Sequence, residues 1–145
     1  MIDPQDEITD SPVRWVADHV RRYVTSGGEA GHRWSGMDTL LITTRGRKTG
    51  ALRRTALIYG QDGERTIVVA SNGGKENHPN WYLNLLEDPE VRVQVGAEVF
   101  AARARPATAE ERRRLWALMV AIFSGYETFR KKTSREIPVV ILERT

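Results

Sequence analysis

The 145-residue chain has no cysteine, so disulfides, thiolate metal sites and cysteine nucleophiles are all excluded. Histidine is sparse. His19, His32 and His78 are scattered, with no HxxxH or HxH spacing, and no metal is expected. No apolar run reaches the length needed to span a bilayer and no signal peptide opens the chain, so the cytoplasm is the expected location. Internal repeats and low-complexity tracts are missing too. Charge of one sign is in only slight excess, at a formal net of +3. That permits a local basic site without demanding a nucleic-acid partner, and none is expected. What remains is 40% apolar and 28% charged, the composition of a soluble globular protein. Residues 1–10 are acidic and polar and read as a flexible N-terminal segment. Residues 11–145 read as one domain, long enough for a real core.

The most informative stretch runs from Leu40 to Arg54. Leu40-Leu41-Ile42-Thr43-Thr44 is a strand pattern. It breaks at Arg45-Gly46-Arg47-Lys48-Thr49-Gly50 and resumes from Arg53 to Tyr59. The connection concentrates cations, hydroxyls and glycine-flanked backbone N–H groups, a donor set suited to phosphate or carboxylate oxygens. Its bland alternative is a solvated basic hairpin tip. A Walker A reading fails, because Arg47 rather than glycine precedes Lys48 and a strand, not a helix, follows.

Along the rest of the chain, Ser11-Pro12 reads as the start of a helix with Val13, Val16, Ala17, Val20 and Val24 at helical spacing. Its basic neighbours leave two readings: packing on its own domain, or a peripheral membrane contact. Strands are expected at 39–44, 53–59 and 66–71, with the last two joined as a hairpin by Gln61-Asp62-Gly63. A helix follows over residues 80–86. Val91–Val95 and Glu98–Arg103 alternate cleanly as a second hairpin. Thr108-Ala109-Glu110-Glu111 has the capping-box form and opens a helix with Leu115, Leu118, Met119, Ile122 and Phe123 inward. Ile137–Leu142 closes the chain as a strand. Short connections favour antiparallel pairing, and no βαβ alternation appears. The expected fold is mainly β within the α+β class: a barrel of about six antiparallel strands with peripheral helices.

No G-x-S-x-G elbow occurs, and no acid–base constellation stands out. A second cluster does: Ala70-Ser71-Asn72-Gly73-Gly74-Lys75 running on to His78-Pro79-Asn80-Trp81-Tyr82-Leu83-Asn84. Two glycines at a strand end let backbone approach a ligand, and aromatic bodies with polar tips suit a planar heterocycle. Packing of Trp81 and Leu85 against the barrel is the structural alternative.

Taken in order, Thr43 to Gly50, Val68 to Gly74, His78 to Leu85 and Asp88 to Val91 resemble the deazaflavin-dependent nitroreductase and quinone reductase family. Gly125-Tyr126 and Thr133 to Val140 extend the likeness, which covers about Thr39 to Glu143. The resemblance implies a split β-barrel related to flavin-binding split barrels, and coenzyme F420 as cofactor, with FMN as the alternative. It implies hydride transfer to an electron-poor acceptor, a quinone or a nitroaromatic; a cofactor-binding protein without turnover is the non-enzymatic rival. By the same resemblance Arg47, Lys48 and Thr49 hold the cofactor's phosphate end. Arg53, Arg54, Thr55, Ala56, Leu57 and Ile58 line the deazaflavin. Val69, Ala70, Ser71 and Asn72 lie beside ring and phosphate, and Asn80, Trp81, Tyr82, Leu83 and Asn84 close the site. Tyr126 sits at the acceptor pocket, and the proton for the product comes from Tyr126, Ser71 or solvent. Phe123 and Phe129 stand where the nitro-drug-activating member has tyrosine, so general reductase activity is implied rather than nitroimidazole activation. The oligomeric state is left open, monomer or dimer.

Overall fold

The structure, a computed structural model, describes Ile2 and residues 5–145. Its central strand is β3 (Met37–Arg45), which pairs antiparallel with β4 (Leu52–Ile58) on one side and β7 (Glu90–Val95) on the other. From β7 the sheet continues through β8 (Glu98–Pro106), β9 (Val139–Arg144), β6 (Arg65–Val69) and β5 (Gly60–Asp62). At the other end β1 (Ile8–Asp10) pairs with β4, and β2 (Arg33–Trp34) pairs with β3.

The described residues thus form nine strands rather than about six. The three additional ones, β1, β2 and β5, have two or three residues each, too short for a period-two signal. β1 also corrects two expectations. Ile8–Asp10 is a paired strand rather than flexible chain, and it runs parallel to β4 in a sheet expected to be antiparallel throughout. The flexibility expected at Met1, Asp3 and Pro4 lies outside the described residues. The turn after Gln61 does close a hairpin, but it joins β5 to β6. β4 spends its hydrogen bonds on β3 instead.

Alternate residues of the sheet bury opposite faces. Leu40 and Ile42 of β3, Val68 of β6, Val91 and Val93 of β7, Ala102 and Ala104 of β8, and Val140 and Leu142 of β9 fill the barrel interior. Ile67, Val69, Val139 and Ile141 point outward, under α3 (Ala109–Ile122) and α4 (Gly125–Lys132). Leu41 faces a third cluster with Val20 and Tyr23 of α1 (Arg14–Thr25). Covering both faces explains why these strands read as near-continuous apolar runs.

Local chemistry sets the helices. Thr108 Oγ1 accepts the Glu111 N–H (3.2 Å) while the Glu111 carboxylate accepts the Thr108 N–H (2.9 Å), which fixes the start of α3. Gly60 lets α3 come close, since a Cβ there would lie within 2.9 Å of Leu118, Met119 and Ile122. Leu115, Trp116 and Met119 are buried on α3, whereas Ile122, expected inward, is 38% exposed. α1 begins after Val13 rather than at Pro12, because Ser11 Oγ accepts the Val13 N–H (3.1 Å) in a turn that precedes the helix. The Tyr23 hydroxyl, buried, donates to the Thr39 carbonyl (3.0 Å) and accepts from the Gly96 N–H (2.7 Å), tying α1 to the barrel. Leu85 of α2 (Asn80–Glu87) enters the interior core.

Candidate active site

The loop between β3 and β4 is built by its own backbone. Gly46 donates to the Ala51 carbonyl (2.6 Å) and Gly50 to the Gly46 carbonyl (2.8 Å), with Gly50 at φ 77°, a conformation open to glycine. Asn84, 3% exposed, reaches this loop from α2. Its Oδ1 accepts from the Arg47 backbone N–H (3.2 Å) and from Arg47 Nη1 (2.9 Å), and its Nδ2 donates to Thr44 Oγ1 (3.3 Å). Arg47 Nη2 reaches Asn80 Oδ1 at 3.4 Å. These bonds turn one edge of Arg47 inward and hold the loop open around a cavity of about 410 Å³. Four cations line it: Arg47, Lys48, Arg53 and Arg54. Arg54 is met by Asp10 through two contacts of 2.8 and 3.1 Å. Among the described residues no carboxylate forms an ion pair with Arg47, Lys48 or Arg53, so the cavity keeps a surplus of positive charge.

A second cavity of about 420 Å³ adjoins the first, and Thr55 and Trp81 line both. Its walls are mostly apolar: Ala56, Leu57 and Ile58 of β4, Val69, and Phe123, Tyr126 and Phe129 from the α3–α4 region. A Cβ on Gly125 would run into the Phe123 ring. The glycine lets Phe123 fold edge-to-face against Tyr126, with centroids 5.0 Å apart. Tyr126 is 4% exposed, and burial pushes its phenol well above the usual range. Its hydroxyl makes no hydrogen bond among the described residues. Trp15 and Trp34 stack at 6.2 Å, 61% and 42% exposed, and also line this cavity.

The Ser71–Gly73 floor of the second cavity is clamped from β9's approach. Arg135 donates to the carbonyls of Ser71 (2.8 Å), Lys75 (2.9 Å) and Ala70 (3.3 Å) and to His78 Nδ1 (3.0 Å). Guanidinium has no acceptor, so His78 Nδ1 must offer its lone pair. Ser134 Oγ adds a bond to Glu76 (2.8 Å).

Of the residues singled out in the sequence, Arg47, Lys48, Thr49, Arg53, Arg54, Thr55, Asn80, Trp81 and Asn84 line the basic cavity. Ala56, Leu57, Ile58, Val69, Ser71, Asn72 and Tyr126 line the apolar one. Ala70, Tyr82 and Leu83 line neither; Ala70 and Tyr82 are buried in the interior core, and Leu83 packs against it. Trp15, His19, Trp34 and Arg135 escaped the sequence reading. All four owe their place to contacts across the fold, and only the run of motif residues at 133–140 hinted at one of them.

A sheet of this order around one interior core, opening on a two-part cleft, is a split barrel of the flavin-reductase type. Residues 15–144 match the family model of the F420H(2)-dependent quinone reductases, and the chain belongs to that family. An F420H(2)-dependent quinone reductase of Mycobacterium tuberculosis is 36% identical over 144 residues, covering 90% of this chain and 97% of its own. A solved F420-H2 dependent reductase superposes at TM-score 0.67 with 39% identity, over 72% of this chain and 93% of that one. Another solved structure, described as a domain-swapped dimer, gives 0.71 at 35% identity, over 92% of this chain and all of its own.

The clamp makes a pH prediction. Burial, and then Arg135, lower the His78 pKa below its ordinary 6.5. The unfolded chain therefore takes up this proton first as pH falls, so the contribution is full above about 6.5 and is lost as pH drops through the lowered value. Amide protection over residues 71–78 should fall in that window, and His78→Gln should remove the pH dependence. Equal pH dependence in the variant would contradict the clamp.

Proposed function

We propose that this protein reduces quinones with hydride drawn from reduced coenzyme F420, holding the cofactor's charged end in the basic cavity and its ring in the apolar one. The observation that carries this reading is the continuity of the two cavities through Thr55 and Trp81. Each cavity alone has an ordinary explanation. Together they match one ligand with a phosphodiester-linked anionic tail and a flat, partly apolar ring. The donor set fits: Arg47, Lys48 and Arg53, which meet no carboxylate among the described residues, at one end, and aliphatic β4 side chains and Trp81 at the other. The deazaflavin, when bound, supplies the hydride chemistry.

The chain's own residues bind, orient and exclude water. Arg47 is pre-set by Asn84 and Asn80, so little side-chain freedom remains to be lost on binding. Lys48 is exposed, a point charge for the tail. Tyr126, at the far wall, offers an O–H to an acceptor oxygen. Because burial raises its pKa, it donates a hydrogen bond without readily giving up its proton. Phe123 and Phe129 leave that wall otherwise apolar, which suits a quinone ring.

The cavity mouth supports a peripheral membrane contact. Trp15 and Trp34 expose apolar surface there, and Arg14 and Arg22 of α1 are exposed nearby in the chain. Tryptophan bodies enter the headgroup layer while arginines meet anionic lipid. Among the described residues no helix is long and apolar enough to cross a membrane. The protein should co-sediment with phosphatidylglycerol vesicles and lose that binding in the Trp15→Ser, Trp34→Ser double variant; equal sedimentation of the two proteins would remove the contact.

Tyr126→Phe keeps the ring and removes the hydroxyl. Cofactor affinity should stay near normal while quinone turnover falls about tenfold or more, roughly 1.4 kcal/mol of transition-state stabilisation. Wild-type turnover across several quinones would make Tyr126 a packing residue.

A further inference from the structure

Two-electron reduction of a quinone by hydride leaves one product oxygen as an anion, and a proton completes the hydroquinone. The hydride brings both electrons, so the proton donor needs no redox chemistry. Tyr126 is a poor donor because its phenol is buried and its proton tightly held. The Ser71 hydroxyl makes no hydrogen bond among the described residues, and an alkyl hydroxyl can pass a proton on but not supply one near neutrality. One other titratable side chain lines the acceptor cavity, and it is His19 on α1.

His19 is 5% exposed, and its Nε2 lies 2.6 Å from the Gly31 carbonyl. A carbonyl only accepts, so Nε2 carries a hydrogen and the tautomer is fixed. Nδ1 has no hydrogen-bond partner among the described residues. Yet no buried side-chain nitrogen or oxygen among them is left unpartnered, so Nδ1 is not sealed in protein. His19 lines the acceptor cavity together with Tyr126 and Phe129 of α4. Tyr23 of the same helix lies beside the ring, with centroids 6.4 Å apart, and Arg22 one turn on is exposed. Thr39 of β3 and Ala56 of β4, which share the cavity wall, bring no charge. Imidazole has two ring nitrogens, so one can hold the Gly31 carbonyl while the other exchanges a proton with a bound acceptor.

We propose that His19 is the proton donor of the acceptor half-reaction. Its imidazolium gives the Nδ1 proton to the hydroquinone oxygen as the O–H bond forms, and the neutral ring recovers a proton from solvent through the cavity mouth. The Nε2–Gly31 bond keeps the ring's orientation through the cycle. This rests on the quinone reductase reading above.

The test uses the full chain. His19→Gln places an amide nitrogen where Nε2 stands, preserving the bond to Gly31 while removing the transferable proton. Its kcat with reduced F420 and duroquinone should fall about tenfold or more, with F420 affinity and melting temperature unchanged. Free imidazole should restore turnover to His19→Ala in a concentration-dependent way, which a purely structural role would not permit. Independently of turnover, duroquinone added to the cofactor-free, ¹⁵N-histidine-labelled protein should shift the His19 Nδ1 resonance, assigned by its loss in His19→Gln. Wild-type kcat in His19→Gln, or a resonance unmoved by duroquinone, overturns the proposal while leaving the quinone reductase reading in place. A wild-type protein that reduces no quinone overturns both.

Discussion

One buried amide holds the basic end of the cleft together. Asn84 accepts from both the backbone and the guanidinium of Arg47 and donates to Thr44, joining α2, β3 and the basic loop into one unit. Without that amide the Arg47 N–H and the Thr44 hydroxyl lose their partner in a region shielded from water, where each unmet group costs about 1–3 kcal/mol. The loop has little apolar content of its own, so polar bonds hold it: the Gly46–Ala51 and Gly50–Gly46 backbone bonds shape the turn, and Asn84 fixes Arg47. The place of Arg47 on the cavity wall is therefore tied to where α2 docks, and α2 docks where Leu85 meets the interior core.

The apolar end is organised differently. Its walls come from three directions: α1 above β4, the α3–α4 junction, and the 71–73 turn held by Arg135. The same α4 that carries Tyr126 and Phe129 also packs on that turn. A Cβ at Gly74 would lie 3.1 Å from the Phe129 backbone, and Lys132 reaches the Gly73 carbonyl at 3.4 Å. Acceptor wall and cavity floor are thus one packed body, which favours a preformed pocket over one assembled on binding.

What could be read from the sequence follows from how local each signal is. The β7–β8 hairpin announced itself by strict alternation, and the α3 capping box by residues three apart. The Arg47-Lys48-Thr49 loop stood out because its cations are contiguous, and those residues do line one cavity. Ile8–Asp10 looked like loose chain because three residues carry no period; its pairing is set by the free edge of β4 and by the Asp10–Arg54 ion pair, 44 positions apart. Tyr82 and Leu83 sit in a motif with cavity-lining neighbours, but helical geometry turns successive side chains about 100° apart and sends these two into the core. Arg135 and His78 meet across 57 positions, and His19 joins Tyr126 only because α1 closes over β4. No window of local sequence contains such contacts.

The central claim is that one ligand spans both cavities, with its tail on the cations and its ring among the β4 side chains. The most direct measurement is a fluorescence titration of the protein with coenzyme F420 and with the tailless deazaflavin, each at low and high salt. Charge on the tail should make F420 bind more tightly, and raising salt from about 0.01 to 1 M, which shortens the screening length from about 30 to 3 Å, should erase most of that advantage. The tailless ring should bind weakly and with little response to salt. Equal affinity for the two ligands at both salt concentrations would contradict the account.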